Sequence, residues 1–111
     1  MRNWDLGAFE EVVLMAIGIL GQNAYGVTIK EELEKHTRKR PSVGALHSAL
    51  YRLENKGYVT SMESGATAER GGRRKRFYSM TASGKEVLLK THEFRTNMLD
   101  LIPGLNNGDP S

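Results

Sequence analysis

Apolar residues recur at steps of three and four along Leu6, Phe9, Val12, Val13, Ala16, Ile17 and Leu20, which predicts a helix with one wide apolar stripe. Asp5 is its expected N-cap, Glu10 and Glu11 lie near the electropositive end, and Gly21-Gln22-Asn23 stops it. Tyr25-Gly26 opens a second helix in which Tyr25, Ile29 and Leu33 form the apolar repeat. Its other face, with Lys30, Glu31, Glu32, Glu34 and Lys35, is expected to be solvated. The turn from His36 to Pro41 then carries three consecutive basic residues, and Pro41 disfavours helix at Arg40.

Ser42 is the expected N-cap of a third helix. With Leu46 at the centre of the buried face, helical periodicity brings Val43, Ala49, Leu50 and Leu53 alongside it. Gly44, Ser48, Tyr51 and Asn55 point the other way, with His47 and Arg52 on the flanks. Gly57 is placed to end the helix in a left-handed conformation. Tyr58 to Met62 reads as a β run, Ser64 to Glu69 as a loop tip, and Gly71-Gly72 as a turn. Arg73 to Met80 is the returning strand, with Phe77 and Ser79 on one face and Arg76, Tyr78 and Met80 on the other. Thr81 caps a last helix that runs to about Ile102, before Pro103.

Three helices, a two-stranded hairpin and one long helix make the chain mainly α with a small β-hairpin, in the order of a winged helix-turn-helix. The expected division is a DNA-binding domain over 1–80, a dimerisation helix over 81–103 and a disordered tail over 104–111. The length of 111 residues suits this size.

Composition narrows the function classes. With 39% hydrophobic and 26% charged residues the chain is an ordinary globular protein. The formal net charge is only +3, but the basic residues are clustered and the isoelectric point is about 9.3. The absence of cysteine removes disulfides, thiol nucleophiles and cysteine-based zinc sites. No apolar run approaches the roughly 20 residues of a membrane helix, and acidic residues stand where a signal peptide needs an apolar run. A cytoplasmic location without membrane contact is expected. The three histidines have no metal-ligand spacing, no phosphate-loop pattern occurs, and no local motif selects a catalytic triad. No enzyme activity, metal or cofactor is expected.

Two stretches carry the candidate chemistry. The third helix presents Gly44, Ala45, His47, Ser48, Tyr51 and Arg52, and a helix fits the major groove of DNA. Periodicity alone is equally satisfied by a core helix with a polar outer side. Arg52 is either a phosphate contact or a structural partner for a glutamate. The second stretch places Arg70, Arg73, Arg74, Lys75 and Arg76 beside two glycines. A run this dense repels itself unless a polyanion neutralises it, which favours DNA over a mere guard against edge-strand aggregation. In the last helix Val87, Thr91, Phe94, Met98 and Leu101 alternate at steps of four and three, a seam for dimerisation or for packing on the first helix.

In order and spacing these pieces resemble the PadR family of bacterial winged-helix transcriptional regulators, over about Leu6 to Leu89. Tyr25-Gly26 with Ile29 is similar to the family's YGY-x-I, and GALHSALYRLENKGYV to G-T-L-Y-P-x-L-x-R-L-E-x-x-G-[LY]-[IV]. Gly72 to Tyr78 looks like G-R-x-R-K-Y-Y, and Met80 to Gly84 like L-T-x-x-G. The single terminal helix places the chain with the compact branch.

The resemblance implies a sequence-specific, double-stranded-DNA-binding repressor that acts as a homodimer and responds to a small aromatic ligand. The implied DNA contacts are Tyr25, Ala45, His47, Ser48, Tyr51, Arg52, Arg70, Arg73, Arg74, Lys75 and Arg76. Phe9, Val87, Thr91, Phe94, Met98 and Leu101 are the dimer candidates, and Trp4, Phe9, Phe94 and Met98 the candidate ligand cleft. His47 replaces the usual Tyr, Ser48 a Pro and Ala45 a hydroxyl residue, so operator preference does not carry over. A protein-interaction module and a small-molecule receptor with secondary DNA contact are the other classes open at this point.

Overall fold

The computed structural model describes residues 6–64 and 74–105. Helix α1 spans Ala8–Leu20 and ends in a 3-10 turn over Gly21–Asn23; α2 spans Gly26–His36 and α3 Val43–Asn55. Strands β1 (Val59–Glu63) and β2 (Arg76–Met80) form an antiparallel hairpin that pairs Val59 with Met80 and Glu63 with Arg76. Helix α4 runs from Ala82 to Asp100. The winged-helix order read from periodicity is the order of the fold.

Local chemistry explains most boundaries. The Ser42 hydroxyl accepts the Ala45 N–H at 3.0 Å, and the Thr81 hydroxyl accepts that of Gly84 at the same distance, so both serve as the expected N-caps. Gly57 has φ of 81° and turns the chain from α3 into β1. Asp5, the expected cap of α1, lies outside the described residues, and Gly7 is the N-cap. Its N–H is held by the Glu10 carboxylate at 3.0 Å, reaching back in the manner of a capping box.

The core joins Val13, Leu14 and Ile17 of α1, Ile29 of α2, Leu46, Leu50 and Leu53 of α3, Val59 and Tyr78 of the hairpin, and Val87 of α4. Three sequence expectations need correction here. Val43 is exposed, because it is the first residue of α3 and lies beyond the layer that covers Leu46. Glu32 is buried, not solvated, and carries Lys35 and His36 as partners at 3.4 Å and 2.8 Å. Among the described residues β2 begins at Arg76, not Arg73, although the Ser64 N–H still donates to the Lys75 carbonyl. Gly104 and Leu105 lie in a turn after α4, with the Leu105 N–H 3.3 Å from the Ile102 carbonyl. The rest of the expected tail, like the Ser64–Glu69 loop tip from Gly65 onward, is outside the described residues.

Gly84 is sterically required. A Cβ there would fall on the Tyr58 carbonyl oxygen and within 2.8 Å of Met80 Cγ. The first turn of α4 therefore lies directly against the start of β1, where the Thr81 hydroxyl also donates to the Gly57 carbonyl at 2.7 Å.

Candidate nucleic-acid interface

The wing is pinned to the start of α2. The Tyr78 N–H donates to the Ala24 carbonyl at 2.8 Å, and Tyr25 forms an isolated antiparallel bridge with Phe77. The two rings pack with centroids 5.2 Å apart and planes tilted by 60°. Lys75 Nζ sits over the Tyr25 ring, 4.5 Å from its centroid, a contact worth about 0.5–1 kcal/mol when exposed.

This arrangement gathers separated candidates. Tyr25, His47, Arg74, Lys75 and Arg76 line one groove of about 420 Å³, together with Val27, Leu50 and Tyr78. Leu50 and Tyr78 anchor it in the core, whereas His47 and the three cations are exposed. Ala45, Ser48 and Tyr51 are exposed on α3, with Tyr51 68% accessible. Arg70 and Arg73 lie outside the described residues.

The wing cations are held lightly. Arg74 meets Glu63 at 3.6 Å, and both side chains are exposed, so this pair contributes about 0–1 kcal/mol and is readily exchanged for a phosphate. Arg76 donates to the Ser61 hydroxyl at 2.9 Å, and that hydroxyl donates to Glu54 of α3 at 2.8 Å. The relay connects the wing to the helix across both strands.

Arg52 takes the structural alternative. Its Nε donates to Glu10 Oε2 at 2.5 Å, and Lys56 Nζ holds the other oxygen at 2.7 Å. Burial raises the Glu10 carboxyl, but hydrogen bonds from Lys56, the Gly7 N–H and Arg52 outweigh it and hold the group below its ordinary range. Arg52 and Lys56 thus fix α3 on α1. Periodicity concealed this clamp, although Glu10 shares the apolar stripe with Leu6, Val13 and Ile17 and could have been singled out there. Phe77, Ser61 and Glu54 gave no sequence signal, since their partners are distant in the chain.

The proposed dimer seam divides. Val87 and Thr91 are 0% and 2% exposed and belong to the protomer's own interior, so they are corrected out of any seam between subunits. Phe94, Met98 and Leu101 remain exposed, as does Leu99. Arg95 of α4 binds Glu11 of α1 at 2.9 Å, so α4 packs back on α1 before its apolar end projects. Among the described residues, the candidate ligand positions are not gathered in one cavity of the single chain. Phe9 lines an apolar cavity of about 430 Å³ with Val12, Leu33 and Pro41, whereas Phe94 borders a separate groove with Lys90, Glu93 and Asn97. Met98 lines neither of these, and Trp4 is outside the described residues.

Among the described residues no helix is long and apolar enough to cross a membrane. No protein of curated function matches the sequence. Among solved structures, RosR of H. salinarum superimposes with a TM-score of 0.71 at 27% identity, covering 91% of this chain and 84% of that one. The hsRosR-S1 complex gives 0.71 at 26% identity, covering 92% and 83%. A PadR family transcription regulator from Clostridium difficile R20291 gives 0.64 at 26%, covering 82% and 92%. The description "Transcriptional regulator PadR-like family" matches residues 13–90, from within α1 to the middle of α4. Spanning the helix-turn-helix, the wing and the start of the terminal helix, that match means that the chain belongs to the PadR-like family of transcriptional regulators.

Proposed function

We propose that this DNA-binding regulator acts as a ligand-responsive repressor and grips its operator as a homodimer. The observation that carries the DNA contact is the groove in which His47 of α3 meets Arg74, Lys75 and Arg76 at the base of the wing. A helix entering the major groove would place Ala45, His47, Ser48 and Tyr51 toward base edges and flanking phosphates. The wing cations, with Tyr25 behind Lys75, would neutralise the backbone. Arg52 acts through Glu10 as a positioning residue.

Dimerisation draws its support from the apolar end of α4. Phe94, Met98, Leu99 and Leu101 leave one chain with hydrophobic surface that a second copy can bury. Two-fold symmetry would then set two recognition helices on half-sites one turn of DNA apart. An effector that enters between the subunits at Phe94 and Met98 would change that spacing, and a small aromatic molecule suits those side chains.

The test is binding to duplex DNA from upstream of the protein's own gene, titrated with salt. The expected log–log slope is about −0.9 per phosphate neutralised. Replacing Arg73, Arg74 and Arg76 by Ala should weaken binding and flatten the slope with the fold intact. Salt-independent binding by the unaltered protein would sink the reading.

A further inference from the structure

Arg38, Lys39 and Arg40 occupy the irregular turn between α2 and α3, and all three are exposed. Most cations elsewhere on the helices and their caps are committed to carboxylates: Lys35 to Glu32, Arg52 and Lys56 to Glu10, Lys90 to Glu86, and Arg95 to Glu11, with Lys85 the exception among the described residues. Among the described residues the three turn cations have no ion pair. Glu34 shares a groove with Arg38 and Arg40, but its carboxylate is bound to Lys30 at 2.6 Å. Arg40 helps to hold the Glu34 carboxyl below its ordinary range through space, but none of the three adjacent charges is paired in contact, which favours an anionic partner.

The turn that carries them is ordered. The Thr37 N–H closes α2 on the Leu33 carbonyl at 3.1 Å, and the Thr37 hydroxyl accepts the Lys39 N–H at 3.2 Å. Pro41 restricts the backbone just before the Ser42 cap. Presenting charge from such a turn loses less conformational entropy on binding than presenting it from a free loop.

Its position relative to α3 decides what that charge is for. Lys39, Arg40 and Pro41 line a cavity with Ala45, so the turn borders the first turn of the recognition helix. His47 lines the other groove with Arg74, Lys75 and Arg76. The exposed face of α3 is thus bracketed by cations, the turn on the Ala45 side and the wing on the His47 side. A major groove about 12 Å wide runs between two phosphate backbones, so a helix inside it meets a negative wall on each flank.

On the DNA-binding reading above, we propose that Arg38, Lys39 and Arg40 form a second backbone grip on the strand across the groove from the wing. The grip reads no bases. It holds α3 in register by neutralising the wall that the wing does not reach.

The experiment compares the unaltered protein, a variant carrying Arg38→Gln, Lys39→Gln and Arg40→Gln, and a Lys90→Gln control. Each is titrated with salt on the upstream duplex and on a random-sequence duplex. The triple variant should lose about 0.9 of slope per phosphate contact removed, equally on both duplexes. Lys90→Gln should leave the slope unchanged. If the unaltered protein binds with a steep slope and the triple variant matches it, the second grip is overturned and the parent reading stands. A flat slope for the unaltered protein overturns both. Circular dichroism checks the fold, and Arg40→Gln alone should lose a smaller part of the slope should the triple variant unfold.

Discussion

Glu10 of α1 accepts a hydrogen bond from Arg52 of α3 at 2.5 Å across 42 positions of the chain. The carboxylate is buried and also holds Lys56, so one acidic residue sets the recognition helix on its support. Glu10→Gln should cost about 1–3 kcal/mol of stability at neutral pH, because Arg52 and Lys56 lose their charged acceptor.

The same contact makes a prediction about acid. Its folded pKa lies below the ordinary 4.5, so the carboxylate's contribution is present above that value and lost as pH falls through the folded pKa. Urea midpoints followed from neutral pH into the acid range should therefore fall more steeply for the unaltered protein than for Glu10→Gln. Parallel curves would remove Glu10 from the acid response.

Two glycines should respond oppositely to alanine. At Gly84 the added methyl meets the Tyr58 carbonyl, and stability should drop by about 1–3 kcal/mol. At Gly44 nothing lies within 4 Å of the added carbon, so the helix should gain about 0.5–1 kcal/mol. Thermal unfolding separates the two cases. Since Gly44 lies on the exposed face of α3, its variant should also weaken operator binding while being more stable.

Ser61→Ala breaks the relay from Arg76 to Glu54. The unfolding free energy should change by less than about 1 kcal/mol, since the relay is exposed. Duplex affinity should fall by about fivefold as Arg76 loses its fixed position, a difference of about 1 kcal/mol in a binding titration. Unchanged affinity would show that Arg76 needs no support.

The terminal helix contains both kinds of apolar position. Met98→Glu or Leu101→Glu should yield a folded monomer in sedimentation equilibrium, because both side chains are exposed in the single chain. Val87→Ala should instead cost about 1–3 kcal/mol without changing the oligomeric state, because Val87 is fully buried inside the protomer. A monomeric Val87→Ala protein, or a dimeric Met98→Glu protein, would reverse that assignment.

Element order, the caps at Ser42 and Thr81 and the left-handed Gly57 were legible because each depends on neighbours within a few residues. Periodicity likewise identified Leu46, Leu50 and Leu53 as the buried side of α3, and the charge density of the wing was plain from the string. The family motifs lie in these same local patterns.

Pairing across the fold was a different matter. Whether Arg52 met a phosphate or a glutamate, whether Val87 faced a second subunit or its own core, and why Tyr25 and Lys75 belong together all depended on contacts between distant elements. A helical repeat specifies which residues share a face but is indifferent to what covers that face. Only the packing of α1 against α3, of α4 back on α1 and of the wing on the start of α2 resolved those choices, because burial and ion pairing are properties of neighbours in space.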